Sequence, residues 1–292
     1  MNNSLYKTNE NTIISFSGGR TSAYMLYKVL TAYNFNLPEN IKVVYANTGR
    51  EMPQTLDFIQ KCSDTWGVKI DWIERYPEAL PESEQKANKK FKYNLKYVDY
   101  ETASRDGEPF LALIKARKYA PNPVARFCTA EMKVRAITKY VEDLGWEKPY
   151  QSFIGIRADE PHRAHKIIGT IESGQERLVP LFYDGVTAKE VGAFWDNNDF
   201  DLGLPNNNGV TDWGNCDLCF LKGLSKKLSI IKERPDLADW WIKAENMLSE
   251  EVGKGAYFRK DQPSYAQMKI IATTQNSFDF GDDHTIPCFC GE

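Results

Sequence analysis

The feature that most limits the fold is a glycine pair wedged between two periodic segments. Asn11-Thr-Ile-Ile-Ser-Phe16 is short, apolar and β-branched, and it ends in Ser17-Gly18-Gly19. Residues 21–34 then bring Ala23, Leu26, Tyr27 and Leu30 to one helical face. The pattern is strand, glycine turn, helix. Glycines at such a turn let the backbone approach a phosphate closely, so that free amides and the helix dipole face the negative charge. Ser17, Gly18, Gly19, Thr21 and Ser22 fit that geometry. A plain tight turn uses the same residues, so the loop by itself does not define a site.

The alternation continues along the chain. Residues 41–46 repeat the strand pattern, 53–66 the helix, and 68–73 supply a third strand after the break at Gly67. Repeated strand–helix units imply a parallel sheet. Residues 74–122 lose the pattern and are expected to form a charged, partly helical excursion over the top of the sheet. A helix over 131–144, a buried strand over 151–156 and a helix over 187–195 follow, the last with Thr187 as cap and Glu190 three residues on. The expected fold is α/β, a Rossmann-like (HUP-type) parallel sheet flanked by helices, over residues 1–200. Residues 201–292 form a smaller, mostly helical C-terminal region carrying cysteines and a tail.

A chain of 292 residues buries enough surface for a self-sufficient core. Its net charge of -3 gives no global basic field, so charge does not indicate nucleic acid as a partner. Lys86, Lys89, Lys90, Lys92 and Lys96 crowd one segment, which reads either as a local basic patch or as a solvated helix face. The polar start lacks the apolar core of a signal peptide, and no run approaches the roughly 18 apolar residues of a membrane span. The expected location is the cytoplasm. Six cysteines in a reducing compartment point to metal or redox chemistry instead of a disulfide framework. They divide into Cys62, Cys128, the pair Cys216/Cys219 and the pair Cys288/Cys290. Cys62 falls in an apolar helical stripe and reads as core. His162 and His165 are a weak metal signal.

At this point the motifs resemble a known group. SFSGGRTSAY is similar to the SGGxDS pyrophosphate loop of the PP-loop ATP pyrophosphatase and phosphoadenylyl-sulfate reductase superfamily, with Ser17, Gly18, Gly19 and Ser22 at matching places. Thr21 stands where ATP-cleaving members carry Asp. YANTGREMPQTLDFI resembles the segment after the second strand, and the resemblance implies that Asn47, Thr48 and Gly49 line the nucleotide pocket. IGIRADEPHR resembles the GxRxxES…R stretch, with Gly155, Arg157, Glu160 and Arg163 in place. Guanidinium forks suit Arg157 and Arg163 to anion binding, with Asp159 and Glu160 to orient them, although surface salt bridges with those acids would use the same residues.

RFCTAEMKVRAI resembles the cluster segment of iron–sulfur adenylyl-sulfate reductases, matching Cys128 and Lys133, and GNCDLCFLKG resembles their second cysteine pair at Cys216 and Cys219. The resemblance implies three of four ligands of a 4Fe-4S cluster. Zinc is the rival, because Cys-x-x-Cys also serves zinc ribbons. The ending PCFCGE is loosely similar to the reductase tail, which implies that Cys288 or Cys290 is a nucleophile or a fourth ligand. The implied ligands are adenylyl sulfate, phosphoadenylyl sulfate or ATP, and thioredoxin or glutaredoxin as reductant. An ATP-dependent sulfur transferase acting on tRNA or DNA, or a silent nucleotide-binding module of a phage or defence system, stays open beside the reductase.

Overall fold

The computed structural model describes residues 3–86, 90–207, 209–252 and 255–274. Cys288, Cys290 and Lys89 lie outside them. Among the described residues seven strands form one sheet: β1 (Thr12–Ser15), β2 (Ile41–Ala46), β3 (Ile70–Ala79), β4 (Phe91–Val98), β5 (Tyr150–Ile154), β6 (Ile171–Glu172) and β7 (Gln175–Leu178). Their order is β4-β3-β2-β1-β5-β7-β6. The pairs β1–β2, β2–β3, β1–β5 and β5–β7 are parallel, while β4 and β6 run antiparallel to their neighbours. This is the expected Rossmann-like α/β sheet. The chain winds outward from β1 through β2 and β3, then returns to lay β5 on the other side of β1. That reversal is the switch point where ligands of such sheets bind, beyond the carboxyl ends of the strands.

The central strands read as continuous apolar runs because both faces are covered. Ile14 and Phe16 turn to the face packed by α1 (Arg20–Ala32), α2 (Pro53–Trp66) and the helix Ala188–Asp196. Ile13 turns to the opposite face, against Ile137, Tyr140 and Val141 of the helix Arg135–Asp143. Ile13 and Ile14 are both fully buried, each side chain contributing roughly 1.5–3 kcal/mol. Gly67 ends α2 in a left-handed conformation, and Thr187 with Glu190 forms the expected capping box.

Residues 74–98 depart from the expected excursion. β3 runs on to Ala79 and pairs with β4 over eight positions, making an antiparallel ribbon that projects past the sheet's carboxyl edge. Lys92 and Lys96 therefore sit on a strand, not on a helix face, and alternate with the inward Tyr93 and Leu95. The helical part of the excursion is α3 (Glu108–Arg117).

A second hydrophobic cluster joins α3 and Phe127 to the helices Leu224–Glu233, Leu237–Val252 and Tyr265–Thr274 around Trp241, Phe258 and Tyr265. Leu202 and Leu204 pack instead with the first cluster. The packing therefore crosses the boundary drawn at residue 200 in both directions. No helix among the described residues is long and apolar enough to cross a membrane.

Candidate functional site

The glycine turn sits at the switch point. Gly18 has φ +80°, and a Cβ there would lie 2.6 Å from Thr55 Cγ2 and 2.8 Å from Ile59 Cδ1, so α2 presses against the loop's back. Gly19 occupies the N-cap of α1 with extended backbone and no side chain on the first-turn amides. Ser17 Oγ lies 2.8 Å from Ser22 Oγ, and the Ser22 hydroxyl also donates to the Gly19 carbonyl at 3.0 Å. At the end of β5, Gly155 lets the strand close on this turn, since a Cβ there would lie 3.0 Å from Ser22 Cα.

Two arginines behave differently. Arg157 Nη1 donates to Thr21 Oγ1 at 2.9 Å, at the head of α1, while Nε donates to Asp159 at 3.0 Å and Glu160 lies 3.4 Å away. Arg163 is buried and bonds the other oxygen of Glu160. One carboxylate thus orients both guanidiniums, and only Arg157 reaches the loop. Arg20, which the sequence reading passed over, is buried and forks onto Asp201, with Nη2 also donating to the Leu204 carbonyl at 2.7 Å. It straps residues 201–205 to the phosphate loop.

The segment after β2 turns away from the loop. Asn47 is fully buried. Its amide donates to Glu74 and to the Ser104 carbonyl, and its oxygen accepts from Tyr45 and from the Gly49 amide. The side chain has no donor or acceptor left for a nucleotide, so it acts as an internal bracket. Gly49, at φ +76°, lets the turn pack on Ser104 and Gly107. Thr48 bonds Glu51 and lies 3.4 Å from Cys216 Sγ, which puts it with the cysteines.

Cys128, Cys216 and Cys219 line one small cavity with Thr48, Thr129, Lys133, Asn215 and the apolar wall Phe110, Phe220 and Leu221. The C-terminal helices hold the cysteine turn from below: Trp241 Nε1 donates to Asp217 at 2.8 Å and Tyr265 OH to the Leu218 carbonyl at 2.6 Å. Burial, reinforced by Cys219, pushes the Cys128 thiol up to about 12. Burial also raises Cys216, with Glu51 and Cys219 adding to it, and raises Cys219. Among the described residues no three His, Cys, Asp or Glu side chains are grouped for a single metal ion. Cys62 is fully buried within the core.

A second cleft opens at the carboxyl edge of β1, lined by Ser15, Ser17, Tyr45, Ser152, Gln175 and Arg177, and closed by Thr129, Lys133 and Val134. Thr129 and Lys133 line both this cleft and the cysteine cavity. They belong to one helical stretch, Phe127–Thr129 continuing through a π-turn at Ala130–Val134 into Arg135–Asp143. Single π-turns inside helices are frequent at functional sites. Ser152, Gln175 and Arg177 escaped the sequence reading. A serine inside the buried run of β5 was the available signal, and its hydroxyl is buried without a partner.

A phosphate-type loop at the switch point of a parallel sheet, faced by a guanidinium, defines an α/β protein of the PP-loop nucleotide-binding class. Residues 11–201 match the phosphoadenosine phosphosulfate reductase domain, and the chain belongs to that family. It is 31% identical over 216 residues to the uncharacterized nin region protein ORF290 of Escherichia phage lambda, covering 73% of this chain and 67% of that protein. It is 29% identical over 181 residues to an uncharacterized 37.8 kDa protein of Escherichia phage 186, covering 52% of this chain and 49% of that protein. Cys128 lies inside the family match, whereas Cys216 and Cys219 lie beyond it.

Proposed function

We propose that the chain is an adenylyl-sulfate type reductase with an iron–sulfur cluster on Cys128, Cys216 and Cys219. The observation that carries this reading is the shared wall: Thr129 and Lys133 border the cysteine cavity and the cleft beside the phosphate loop at once. Ser17, Gly18, Gly19 and Ser22 would hold the phosphate against the first turn of α1, with Arg157 supplying a charge-assisted bond. Thr21 offers a hydroxyl where ATP-cleaving relatives carry a carboxylate, so the loop suits binding better than metal-assisted cleavage.

The donor set fits the cluster. Three soft donors converge on an apolar cavity, and cluster ligands each reach a different iron, which needs a wider spread than a single ion does. Cluster assembly would displace the thiol protons and so reverse the effect of burial on them. When bound, a three-cysteine cluster supplies an iron with an open coordination position. In the reductase step a tail thiolate, Cys288 or Cys290, attacks the sulfate sulfur of adenylyl sulfate or its 3′-phosphate form. The sulfur–oxygen bond to the phosphate breaks, and the nucleotide leaves with the electron pair. A dithiol reductant of the thioredoxin or glutaredoxin class then attacks the cysteine sulfur, releases sulfite, and ends as a disulfide.

The three-cysteine set with an open iron position favours a second reading, an ATP-dependent sulfur transferase acting on tRNA or DNA. Anaerobically purified protein should be brown, contain iron and acid-labile sulfide, and lose both in Cys128→Ser, Cys216→Ser or Cys219→Ser. Sulfite release that vanishes in Cys288→Ser or Cys290→Ser with the cluster retained supports the reductase. Pyrophosphate release from ATP without sulfite supports the transferase. Colourless, iron-free protein from anaerobic cells overturns the cluster.

A further inference from the structure

Outside the cleft and the cysteine cavity, one group of cations is short of counter-charge. Glu131 is buried and receives Arg75 from β3, Arg117 from α3 and Arg135 from the head of the helix Arg135–Asp143. Among the described residues the ion pairs of all three arginines end on this one carboxylate, leaving three cations against one anion and a net charge of two positive. Arg75 Nε and Arg117 Nε are buried with no hydrogen-bond partner. A buried N–H without a partner is costly, and like charges held together add to the cost. A purely structural tie of β3 and α3 to the helical stretch that carries Glu131 would need two arginines, not three.

The surroundings suit a flat or extended anion. The Arg75 guanidinium lies 4.3 Å over the Tyr93 ring, and that of Arg117 lies 5.7 Å from Phe127, which meets Tyr119 edge-on at 4.7 Å. Side-chain exposure rises from 12% at Arg75 through 35% at Arg117 to 57% at Arg135, so the cluster opens outward beside the half-exposed Tyr119. Phe127 adjoins Cys128, whose sulfur lines the cysteine cavity on the other side of the same helical turn.

We propose that Arg75, Arg117 and Arg135, gathered by Glu131, form a phosphate-binding site distinct from the phosphate loop. The outward guanidinium forks of Arg117 and Arg135 match paired phosphate oxygens. The phosphate comes either from the backbone of a nucleic-acid strand, with the exposed tyrosine as a stacking platform, or from a free phosphorylated molecule. Neither source depends on the reductase reading, because none of these residues lines the cleft or the cysteine cavity.

The test uses the full chain with two probes, a fluorescein-labelled single-stranded oligonucleotide followed by anisotropy and inorganic phosphate followed by calorimetry. The variant is Arg117→Gln/Arg135→Gln, with thermal unfolding as the check on folding; Arg135→Gln alone serves if the double variant does not fold. Lys69→Gln, an exposed residue just before the amino end of β3, is the control. If a nucleic acid is the source, the double variant loses about tenfold or more in oligonucleotide affinity. Its slope of log affinity against log salt then falls by about 0.7 per lost phosphate contact, while Lys69→Gln behaves as wild type. Loss of phosphate binding alone, with no oligonucleotide bound by wild type, identifies a free phosphate as the source. A folded variant that binds both probes as wild type does, or a wild type that binds neither, overturns the site.

Discussion

Replacing Gly18 by alanine tests whether the loop's shape is imposed by its backbone. Two costs act together at this position. With φ at +80°, an L side chain occupies the left-handed region, which costs roughly 1–2 kcal/mol. The new methyl also lands 2.6 Å from Thr55 Cγ2 and 2.8 Å from Ile59 Cδ1. Both neighbours are buried and cannot swing into solvent, so overpacking adds about 1–3 kcal/mol. Gly18→Ala should therefore lower stability by about 2–5 kcal/mol in urea unfolding followed by tryptophan fluorescence. The two parts separate in a Thr55→Ser/Ile59→Val background, which removes the two clashing methyls but leaves the dihedral. There the same substitution should fall towards the backbone part, about 1–2 kcal/mol, with the contact to the γ-carbon at position 59, 3.1 Å away, as the remainder. An unchanged cost in the relieved background, or a Gly18→Ala protein within about 0.5 kcal/mol of wild type, would refute the reasoning.

Three further expectations rest on separate observations. Gly19→Asp, at an N-cap with ordinary extended backbone, should keep or slightly raise thermal stability, a side-chain cap being worth only about a few tenths of a kcal/mol over glycine, yet abolish calorimetric binding of AMP or adenylyl sulfate because its carboxylate takes the phosphate's place. Ser152→Ala should be nearly neutral in unfolding, since its hydroxyl has no partner to lose, but should weaken nucleotide binding if the cleft is used; equal affinity would remove Ser152 from the site. Burial pushes the Asp184 carboxyl up, but Lys28 and Tyr6 outweigh it and hold it below the usual range. Its stabilisation is present above the unfolded value of about 3.9 and is lost as pH falls through the depressed folded value. Asp184→Asn should thus cost about 1.5–3 kcal/mol at pH 7 and progressively less below pH 4, and an undiminished difference at pH 3 would contradict the assignment.

The parts of the site that the sequence revealed are local. A strand, a glycine pair and an amphipathic helix announce a phosphate loop because each residue's role is set by its immediate neighbours. The parallel core was legible for the same reason, its buried strands reading as uninterrupted apolar runs. The ribbon of β3 and β4 was not, because lysines on one face of Phe91–Val98 masked a strict alternation with aromatic and aliphatic residues on the other. Asn47 shows a different limit. Its identity suits a nucleotide pocket, but only the fold reveals that Tyr45, Glu74, Gly49 and Ser104 have already taken every bond its side chain can make. Thr48 and Cys216, 168 residues apart, meet only through the fold, and so do Arg75 and Arg117 on Glu131; only Arg135, four residues on, is a local partner of that carboxylate.

The π-turn at Ala130–Val134 makes segment length carry information. An α-helix advances about 100° per residue, and the extra residue of a π-turn resets that phase. It allows a single helix to aim Thr129 and Lys133 at the two cavities while Glu131 and Arg135 face the arginine cluster. The same number of residues wound as regular α-helix would instead turn Arg135 by about 100° against Cys128. Substitutions in this stretch therefore probe chemistry one group at a time. A single-residue deletion at the turn, by contrast, would return the stretch to regular helix with its two ends still in phase, and so tests the wide turn itself.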